Sequence, residues 1–267
     1  MKATLKIYEL LSRVIGPVAA QRANLRVLMY HRIQSEPQGY AYLHPNDFVD
    51  HMAYLKDSGY TTCTMAHLHE NWAEVLSRPK SIVLTFDDVW TSQVETVLPA
   101  LKQHGFVGTF FVPTAHIENK RHKPRFSDLT LFDAELCCWG DVEILQNEGM
   151  EIGAHSHTHK MLTKLSLDQV REEISISSQI LREHCTERVV SFCYPFGKRK
   201  TFNPEIMKII SEHDFKIACS TIWGCVTYKS NLLALPRIGI HGTDQLDSFK
   251  RKMNGWHDYK RWIHRFR

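Results

Sequence analysis

Two short polar segments, about 70 residues apart, contain carboxylates and imidazoles suited to one divalent metal ion. The first is the end of the apolar run 81–86, which Asp87 and Asp88 follow, and the second runs from His155 to His159 with the sequence His-Ser-His-Thr-His. Adjacent carboxylates repel each other, so we expect the two aspartates to have different roles. A metal ion would keep the aspartate that binds it ionised, and the second aspartate would be free to accept a proton. One aspartate and two histidines would form an open metal site.

Each pair also has an ordinary explanation. Two aspartates after a strand can lie in a solvated turn or cap a helix, and two histidines can be surface or core residues. The spacing of His155 and His159 places both imidazoles on one side of a helical turn, with His157 pointing elsewhere, and Gly153 indicates a loop leading into that turn. Because the two pairs occur together, we interpret them as one metal site.

The elements that must position these residues alternate between strands and helices. The predicted strands are 26–31, 81–86, 109–112, 150–153, 189–194, 215–219 and 235–240, and the predicted helices are 47–58, 92–104, 140–148, 167–184 and 203–213. Repeated β-α units predict an α/β fold with mostly parallel strands, closed into an irregular (β/α) barrel. Such barrels carry their functional residues at the carboxyl ends of the strands, where the candidate residues here also lie.

His31 follows the first predicted strand and has two interpretations. It is either a structural histidine hydrogen-bonded beneath the site or a residue that contacts the substrate directly.

Composition favours one domain of 267 residues with acidic central residues and basic ends. The net charge is +5 for residues 1–32, +6 for residues 250–267 and −7 for residues 33–249, which argues against nucleic-acid binding. Seven cysteines, an odd number without CxxC spacing, argue against a disulfide framework and a thiolate zinc site. Free thiols favour a cytoplasmic location.

The termini divide the chain into a predicted amphipathic helix at 1–24, a domain at 25–245 and a basic C-terminal tail at 246–267. The helix either packs on the domain's own core or serves as a peripheral anchor at the inner membrane, with a cleaved signal as the third alternative. No segment approaches the eighteen apolar residues of a membrane span.

Residues 27–241 resemble the NodB-type polysaccharide deacetylases, carbohydrate esterase family four. The segment Thr85-Phe86-Asp87-Asp88 is similar to the first motif of that family, and this resemblance implies that Asp87 is the general base and Asp88 a metal ligand. The run from His155 to His159 is similar to the second motif, which implies that these two histidines are the other ligands. The resemblance implies the NodB-homology barrel.

Further segments resemble a bacterial branch of the family that is linked to exopolysaccharide pathways: 28–33, 109–112, 139–141 and 192–197. In that branch the third motif lacks the arginine that many relatives place two residues before proline, and Cys193 stands there in this chain. Arg237 is the candidate to hold Asp87 instead, with a structural or surface salt bridge as the alternative. Val89 stands where relatives have glycine.

The resemblance also assigns the remaining site residues. His241 is the candidate general acid, or alternatively a loop histidine, because Gly239-Ile240-His241 matches the motif Leu-x-His imperfectly. Trp139 is expected to line the sugar subsite or to pack beneath His241. Tyr194, Pro195 and Phe196 are expected to bind substrate, with a backbone N–H after them as a candidate donor to an oxyanion.

The function implied is a metal-dependent hydrolase that removes N-acetyl groups from a bacterial polysaccharide or its lipid-linked precursor. It would use one divalent ion, for which zinc fits the Asp-His-His set best while cobalt, nickel and iron are also accepted. One alternative is hydrolysis of another non-peptide C–N bond, in a cyclic imide or amide, on the same fold. The other is a catalytically impaired glycan-binding homologue.

Overall fold

Seven parallel strands close into a barrel in the computed structural model of the chain, which describes residues 25–36, 41–123, 134–256 and 258. In chain order the described strands are β1 (Arg26–Tyr30), β2 (Arg32–Ile33), β3 (Tyr42–Leu43), β4 (Thr61–Cys63), β5 (Ser81–Asp87), β6 (Thr109–Val112), β7 (Glu151–Ala154), β8 (Ser191–Cys193), β9 (Ile217–Trp223) and β10 (Leu235–Gly239). The ring β1-β5-β6-β7-β8-β9-β10 closes because β1 pairs with both β5 and β10. The predicted (β/α) barrel of parallel strands is therefore confirmed.

Three short strands lie outside this ring. β4 pairs with the first residues of β5, from Ser81 to Val83, whereas β6 pairs with the last residues, from Thr85 to Asp87. β2 and β3 form a separate parallel pair. The sequence did not predict these strands, because two or three residues are too few for a periodic pattern.

The described helices are α1 (Pro45–Asp57), α2 (Met65–Glu70), α3 (Trp72–Ser77), α4 (Leu98–His104), α5 (Trp139–Asn147), α6 (Leu167–His184), α7 (Pro204–Glu212) and α8 (Leu246–Met253). A π-helical segment, Gln93–Val97, leads into α4. Local signals fix the ends of several helices. The Ser166 hydroxyl accepts the Gln169 N–H at the start of α6, and Gly105 ends α4 with a left-handed φ of 66°.

Helix α8 lies within the range predicted as a basic tail. It buries Phe249 and Met253, and Arg26 at the start of β1 donates to Asp258 at 2.9 Å. This part of the range therefore packs on the barrel. Residue 257, residues 259–267 and the predicted helix at 1–24 lie outside the described residues.

Alternation along the strands separates the barrel interior from the layer under the helices. Val83 belongs to the apolar cluster inside the ring, whereas Leu84 and Phe86 belong to the larger cluster beneath the helices. Because successive side chains of a strand point to opposite faces, Thr85 and Asp87 share the inward face of β5 with Val83. The barrel interior is thus apolar toward the amino end of β5 and polar at its carboxyl end.

All seven cysteines are free thiols, as expected from their spacing. Among the described helices, none is both long and apolar enough to cross a membrane.

Candidate active site

The carboxyl ends of the barrel strands surround a cavity of about 150 Å³. It is lined by His31, Arg32, Ala41, Asp87, Asp88, His155, His159, Tyr194, Phe196 and Thr221. Most of these residues were predicted site residues, and parallel strands bring them together because all carboxyl ends meet at one end of the barrel.

Asp88, His155 and His159 form a compact group of metal-ligand type within this cavity. The Oδ1 atom of Asp88 lies 3.5 Å from Nε2 of His155 and 3.5 Å from Nε2 of His159. All three side chains are buried, and their ligand atoms lie within 4.8 Å of one another. One carboxylate and two imidazoles in this arrangement suit zinc and similar divalent ions.

The hydrogen bonds of these residues also fit a metal ion. Asp88 Oδ2 accepts the indole N–H of Trp90 at 3.2 Å, but buried Oδ1 has no hydrogen-bond partner in the described structure. His155 Nδ1 lies 2.7 Å from the Cys193 carbonyl oxygen, which assigns the proton to Nδ1 and leaves the Nε2 lone pair facing Asp88. Burial, followed by nearby His159, lowers the pKa of His155 to about 4, so its ring is neutral at physiological pH.

A loop brings the two histidines together, so the expected helical turn is wrong. Ser156 and His159 adopt left-handed φ values of 60° and 56°, and the Ser156 hydroxyl accepts the His159 N–H at 3.1 Å. Glu173 of α6 supports this loop from below: its Oε2 accepts the N–H groups of His157 and Thr158 at 3.1 and 2.8 Å. The His157 ring turns away, as expected, with Nδ1 3.0 Å from the Thr114 hydroxyl.

The backbone at Asp88 and Val89 is strained. Their φ values are 73° and 54°, a region that β-branched residues rarely adopt. The turn is held by the Cys137 N–H, which donates to the Val89 carbonyl at 2.9 Å, and by the bond from Trp90 to Asp88. Strain of this kind is often found at functional sites.

Asp87 forms a bidentate ion pair with Arg237 inside the barrel. Both N–H···O distances are 2.8 Å, from Nη1 to Oδ1 and from Nη2 to Oδ2. The same guanidinium donates to the Thr85 hydroxyl at 3.0 Å and to the Ser220 carbonyl at 2.8 Å, so its orientation is fixed on several sides. Its Nη2 also lies 3.0 Å from Cys193 Sγ.

This pair sets the charge of Asp87. Burial alone would raise the pKa of its carboxyl group, but the charge and hydrogen bonds of Arg237 outweigh burial and hold the pKa well below its usual range. Asp87, His155 and Cys193 also lie close enough to form a second group of metal-ligand type. That group fits an ion poorly, because Arg237 occupies both Asp87 oxygens and burial keeps the pKa of the Cys193 thiol high.

Comparison with known proteins identifies the family. The sequence profile of the polysaccharide deacetylases matches residues 75–218, more than half of the chain. The chain belongs to the polysaccharide deacetylase family.

Similar members of this family include two curated bacterial proteins. YxkH of Bacillus subtilis (strain 168), assigned as a polysaccharide deacetylase, is 26% identical over 82% of this chain and 72% of its own length. The poly-β-1,6-N-acetyl-D-glucosamine N-deacetylase of Staphylococcus aureus (strain MSSA476) is 22% identical over 67% of this chain. The match spans only 60% of the Staphylococcus protein.

A solved structure supports the same barrel. The deacetylase PplD of Streptococcus pyogenes, solved in complex with acetate, superimposes with a TM-score of 0.74 at 21% identity, over 86% of this chain and 98% of PplD. At this level of identity the similarity establishes the fold alone, and it is the NodB-type barrel of the polysaccharide deacetylases.

In this member of the polysaccharide deacetylase family, three further predicted residues lie beside the metal-ligand group. His31 Nε2 is 3.7 Å from Asp87 Oδ2, and its ring is partly exposed to the cavity. The Phe196 ring lies 5.5 Å from the His159 ring, on a loop where Phe196 itself has a left-handed φ of 63°. Tyr194 lines the cavity while its hydroxyl donates to the Leu233 carbonyl.

Three other predicted residues do not line the cavity. Pro195 is buried between Tyr194 and Phe196. Trp139 begins α5 and stacks on His184, with ring centroids 3.9 Å apart, instead of facing the site. His241 follows β10, and its backbone N–H donates to Asp244 Oδ2 at 2.8 Å.

Sequence reasoning missed Arg32 and Glu173. Arg32 is buried and lines the cavity; burial lowers its pKa to about 10, while the nearby charge of Asp88 opposes that shift. Its place directly after His31 could have indicated this role. Glu173 lies in the middle of a helix next to another glutamate, so no local pattern distinguishes it.

Proposed function

We propose that the chain is a metal-dependent hydrolase that removes N-acetyl groups from a bacterial polysaccharide or its lipid-linked precursor. One observation carries this proposal: a metal-ligand group, Asp88 with His155 and His159, stands beside a separate carboxylate, Asp87, in the same cavity. The two carboxylates have different environments, which is how acid-base and ligand roles are commonly divided. The name of the Staphylococcus relative supports the choice of an N-acetylated glycan.

The ligand group would hold one divalent ion, with zinc as the first choice and cobalt, nickel or iron as alternatives. Such an ion supplies Lewis acidity to a carbonyl oxygen and makes water a better nucleophile at neutral pH. Trp90 and the Cys193 carbonyl orient Asp88 and His155 toward the shared position, so the ligands are held before any ion binds.

Asp87 would act as the general base. Because Arg237 keeps it ionised, it is ready to accept a proton from the attacking water across the physiological range. Arg237 is a positioning residue in this scheme, since it fixes both carboxylate oxygens and has no free face toward the substrate.

Water would add to the carbonyl carbon of the acetyl group and the C–N bond would break, leaving acetate and a free amine on the sugar. His241 does not line the cavity, but it follows β10 at the same end of the barrel, and from there it would protonate the leaving nitrogen. A backbone N–H following Tyr194 and Pro195 would donate to the developing oxyanion. His31 and Phe196 would contact the substrate at the cavity wall, and Trp139 would contribute only to sugars bound farther out.

We further propose that the protein works in the cytoplasm and associates peripherally with the inner membrane through its basic termini. Anionic lipids attract lysine and arginine clusters, and residues 250–267 alone carry a net charge of +6. Under this proposal, residues 1–24, 25–245 and 246–267 serve as anchor, catalytic domain and basic tail.

The test is acetate release from β-1,6-linked N-acetylglucosamine oligomers before and after chelation and zinc readdition. We expect release that chelation stops and zinc restores. Metal-dependent cleavage of small cyclic imides with none of the glycans would select the alternative C–N hydrolase. Metal binding without release of acetate from N-acetylated oligomers would favour an impaired glycan-binding homologue.

A further inference from the structure

Five exposed cationic residues lie on two loops at the mouth of the cavity. Residues 157–164 contain two of them and residues 196–203 contain three, and neither segment contains an aspartate or glutamate. We call this set the cationic rim: Lys160, Lys164, Lys198, Arg199 and Lys200. The rim stands out because residues 33–249 as a whole have a net charge of −7.

The two loops are joined to each other and to the candidate active site. The rings of His159 and Phe196, which both line the cavity, lie 5.5 Å apart. Farther out, the Thr163 hydroxyl donates to the Lys200 carbonyl at 2.9 Å. The rim charges are therefore placed beside the position where a substrate must enter.

The rim lysines lack the partners that other exposed cations have. Lys102 pairs with Glu148, and Arg171 pairs with Glu212, on the outer helices. Among the described residues, none of the four rim lysines forms an ion pair. Like charges placed together repel, so their proximity gives no stability to the fold. An anion from outside the chain would relieve that repulsion.

A second cavity of about 490 Å³ lies beside the rim residue Arg199. Arg199 lines it together with Phe202 and Trp223. Its wall residue Ile222 follows directly after Thr221, which lines the first cavity. Arg199 of the rim therefore also borders a pocket with aromatic walls.

We propose that the cationic rim binds acidic groups of the glycan, so that the preferred substrate is an N-acetylated glycan with carboxylates on the sugars next to the reacting one. This inference rests on the proposed function, because it assigns the charge of the substrate bound at the same site. The rim adjoins the cavity that a substrate must enter, which favours a glycan over a membrane surface as its partner.

The test compares two ligands with the same sugar chain, one charged and one neutral: a hyaluronan octasaccharide, which alternates N-acetylglucosamine with glucuronate, and its carboxyl methyl ester. Calorimetric titration of the full chain at low ionic strength should give roughly tenfold tighter binding of the acid form, a preference that fades as salt screens the charges. The triple variant Lys164→Gln, Lys198→Gln and Lys200→Gln should lose this preference. The matched control removes three cations at the opposite end of the barrel: Arg78→Gln, Arg188→Gln and Lys216→Gln.

Equal affinity of the native chain for the two ligands, or no binding of the acid form, would overturn the proposal. So would an acid preference that the rim variant keeps. If the rim variant loses binding to phosphatidylglycerol vesicles while its glycan preference is unchanged, the rim is a membrane surface and the proposal is also overturned.

Acetate release from neutral N-acetylglucosamine oligomers, measured on the same samples, separates this proposal from the proposed function. Acetate release without a preference for the acidic ligand would contradict only the proposal for the cationic rim. A charge preference without any release contradicts the hydrolase and leaves the rim as a binding surface for acidic glycans.

Discussion

Arg237 of β10 holds Asp87 of β5 through two N–H···O bonds of 2.8 Å, although the residues are 150 positions apart. Both side chains are fully inside the barrel, and Cys193 of β8 lies against them. Arg237 therefore supplies a guanidinium beside Cys193 from a different strand, as expected from the sequence.

Substitution of Arg237 should damage both rate and folding. In Arg237→Met the buried Asp87 carboxylate loses its cation, so we expect acetate release to fall by about a hundredfold and the free energy of unfolding to fall by about 3 kcal/mol. Arg237→Lys keeps the charge but not the paired geometry and should lose less of both. Initial rates and urea unfolding of the two variants measure this.

The pH profile separates an electrostatic role of Arg237 from a purely structural one. Arg237 holds the pKa of Asp87 down against burial, so its removal should let burial raise that pKa and move the acid limb of kcat/KM to higher pH. An unshifted limb in Arg237→Met would contradict the role of Arg237 in keeping Asp87 ionised.

The two outer histidines of the motif should bind metal, and the middle one should not. His159→Ala removes a ligand and should lower zinc affinity by a hundredfold or more, as should Asp88→Ala. His157→Ala is the matched control, because its ring contacts Thr114 instead of Asp88. Zinc titration with a competing chelator measures all three variants, and equal losses at His157 and His159 would refute the ligand assignment.

Glu173 should act on metal affinity through the loop. Its carboxylate accepts hydrogen bonds from the His157 and Thr158 N–H groups. Glu173→Ala should therefore make the backbone that precedes His159 more mobile and weaken zinc binding by roughly tenfold to a hundredfold. Glu172→Ala, one residue earlier on α6 and exposed, should leave the affinity unchanged. If the two variants bind zinc equally well, Glu173 does not position the ligands.

Much of this arrangement follows from the sequence. Apolar strands alternating with helices predict the barrel, and placing Asp87 after a buried run predicts its location at the carboxyl end of β5. The alternation of side chains along a strand also explains why Arg237 reaches Asp87. Leu235 and Arg237 lie on the inward face of β10, and Val83 and Asp87 lie on the inward face of β5.

Other features depend on contacts that no local pattern records. Residues four apart suggested a helical turn for the histidines, but Ser156 and His159 adopt left-handed conformations that bring the rings together in a loop. Helices α2 and α3 have six residues each, too few for a clear apolar period. In α8 the lysines and arginines obscured the two buried apolar positions, Phe249 and Met253.

Acid should destabilise the fold through His51. This buried ring stacks on Phe249, and burial lowers its pKa from 6.5 to about 4. The His51 ring is therefore protonated below about pH 6.5 in the unfolded chain but only below about pH 4 in the folded chain. The free energy of unfolding consequently falls as the pH drops from 6.5 to 4. Between pH 7 and pH 5 the loss attributable to His51 is about 2 kcal/mol.

His51→Gln removes the titrating group while keeping a donor for the Asp244 carbonyl, which His51 Nε2 contacts at 2.7 Å. Urea unfolding at the two pH values should show a smaller pH-dependent loss in this variant than in the native chain. Identical losses would mean that His51 is not the group responsible.

Asp87→Asn tests the central claim most directly, because it removes the proposed base and leaves Asp88, His155 and His159 in place. The measurement is acetate release from N-acetylglucosamine oligomers together with the zinc content of the same samples. We predict at least a hundredfold fall in acetate release with zinc content unchanged. Release at the native rate by the zinc-loaded variant would contradict the assignment of Asp87 as the base.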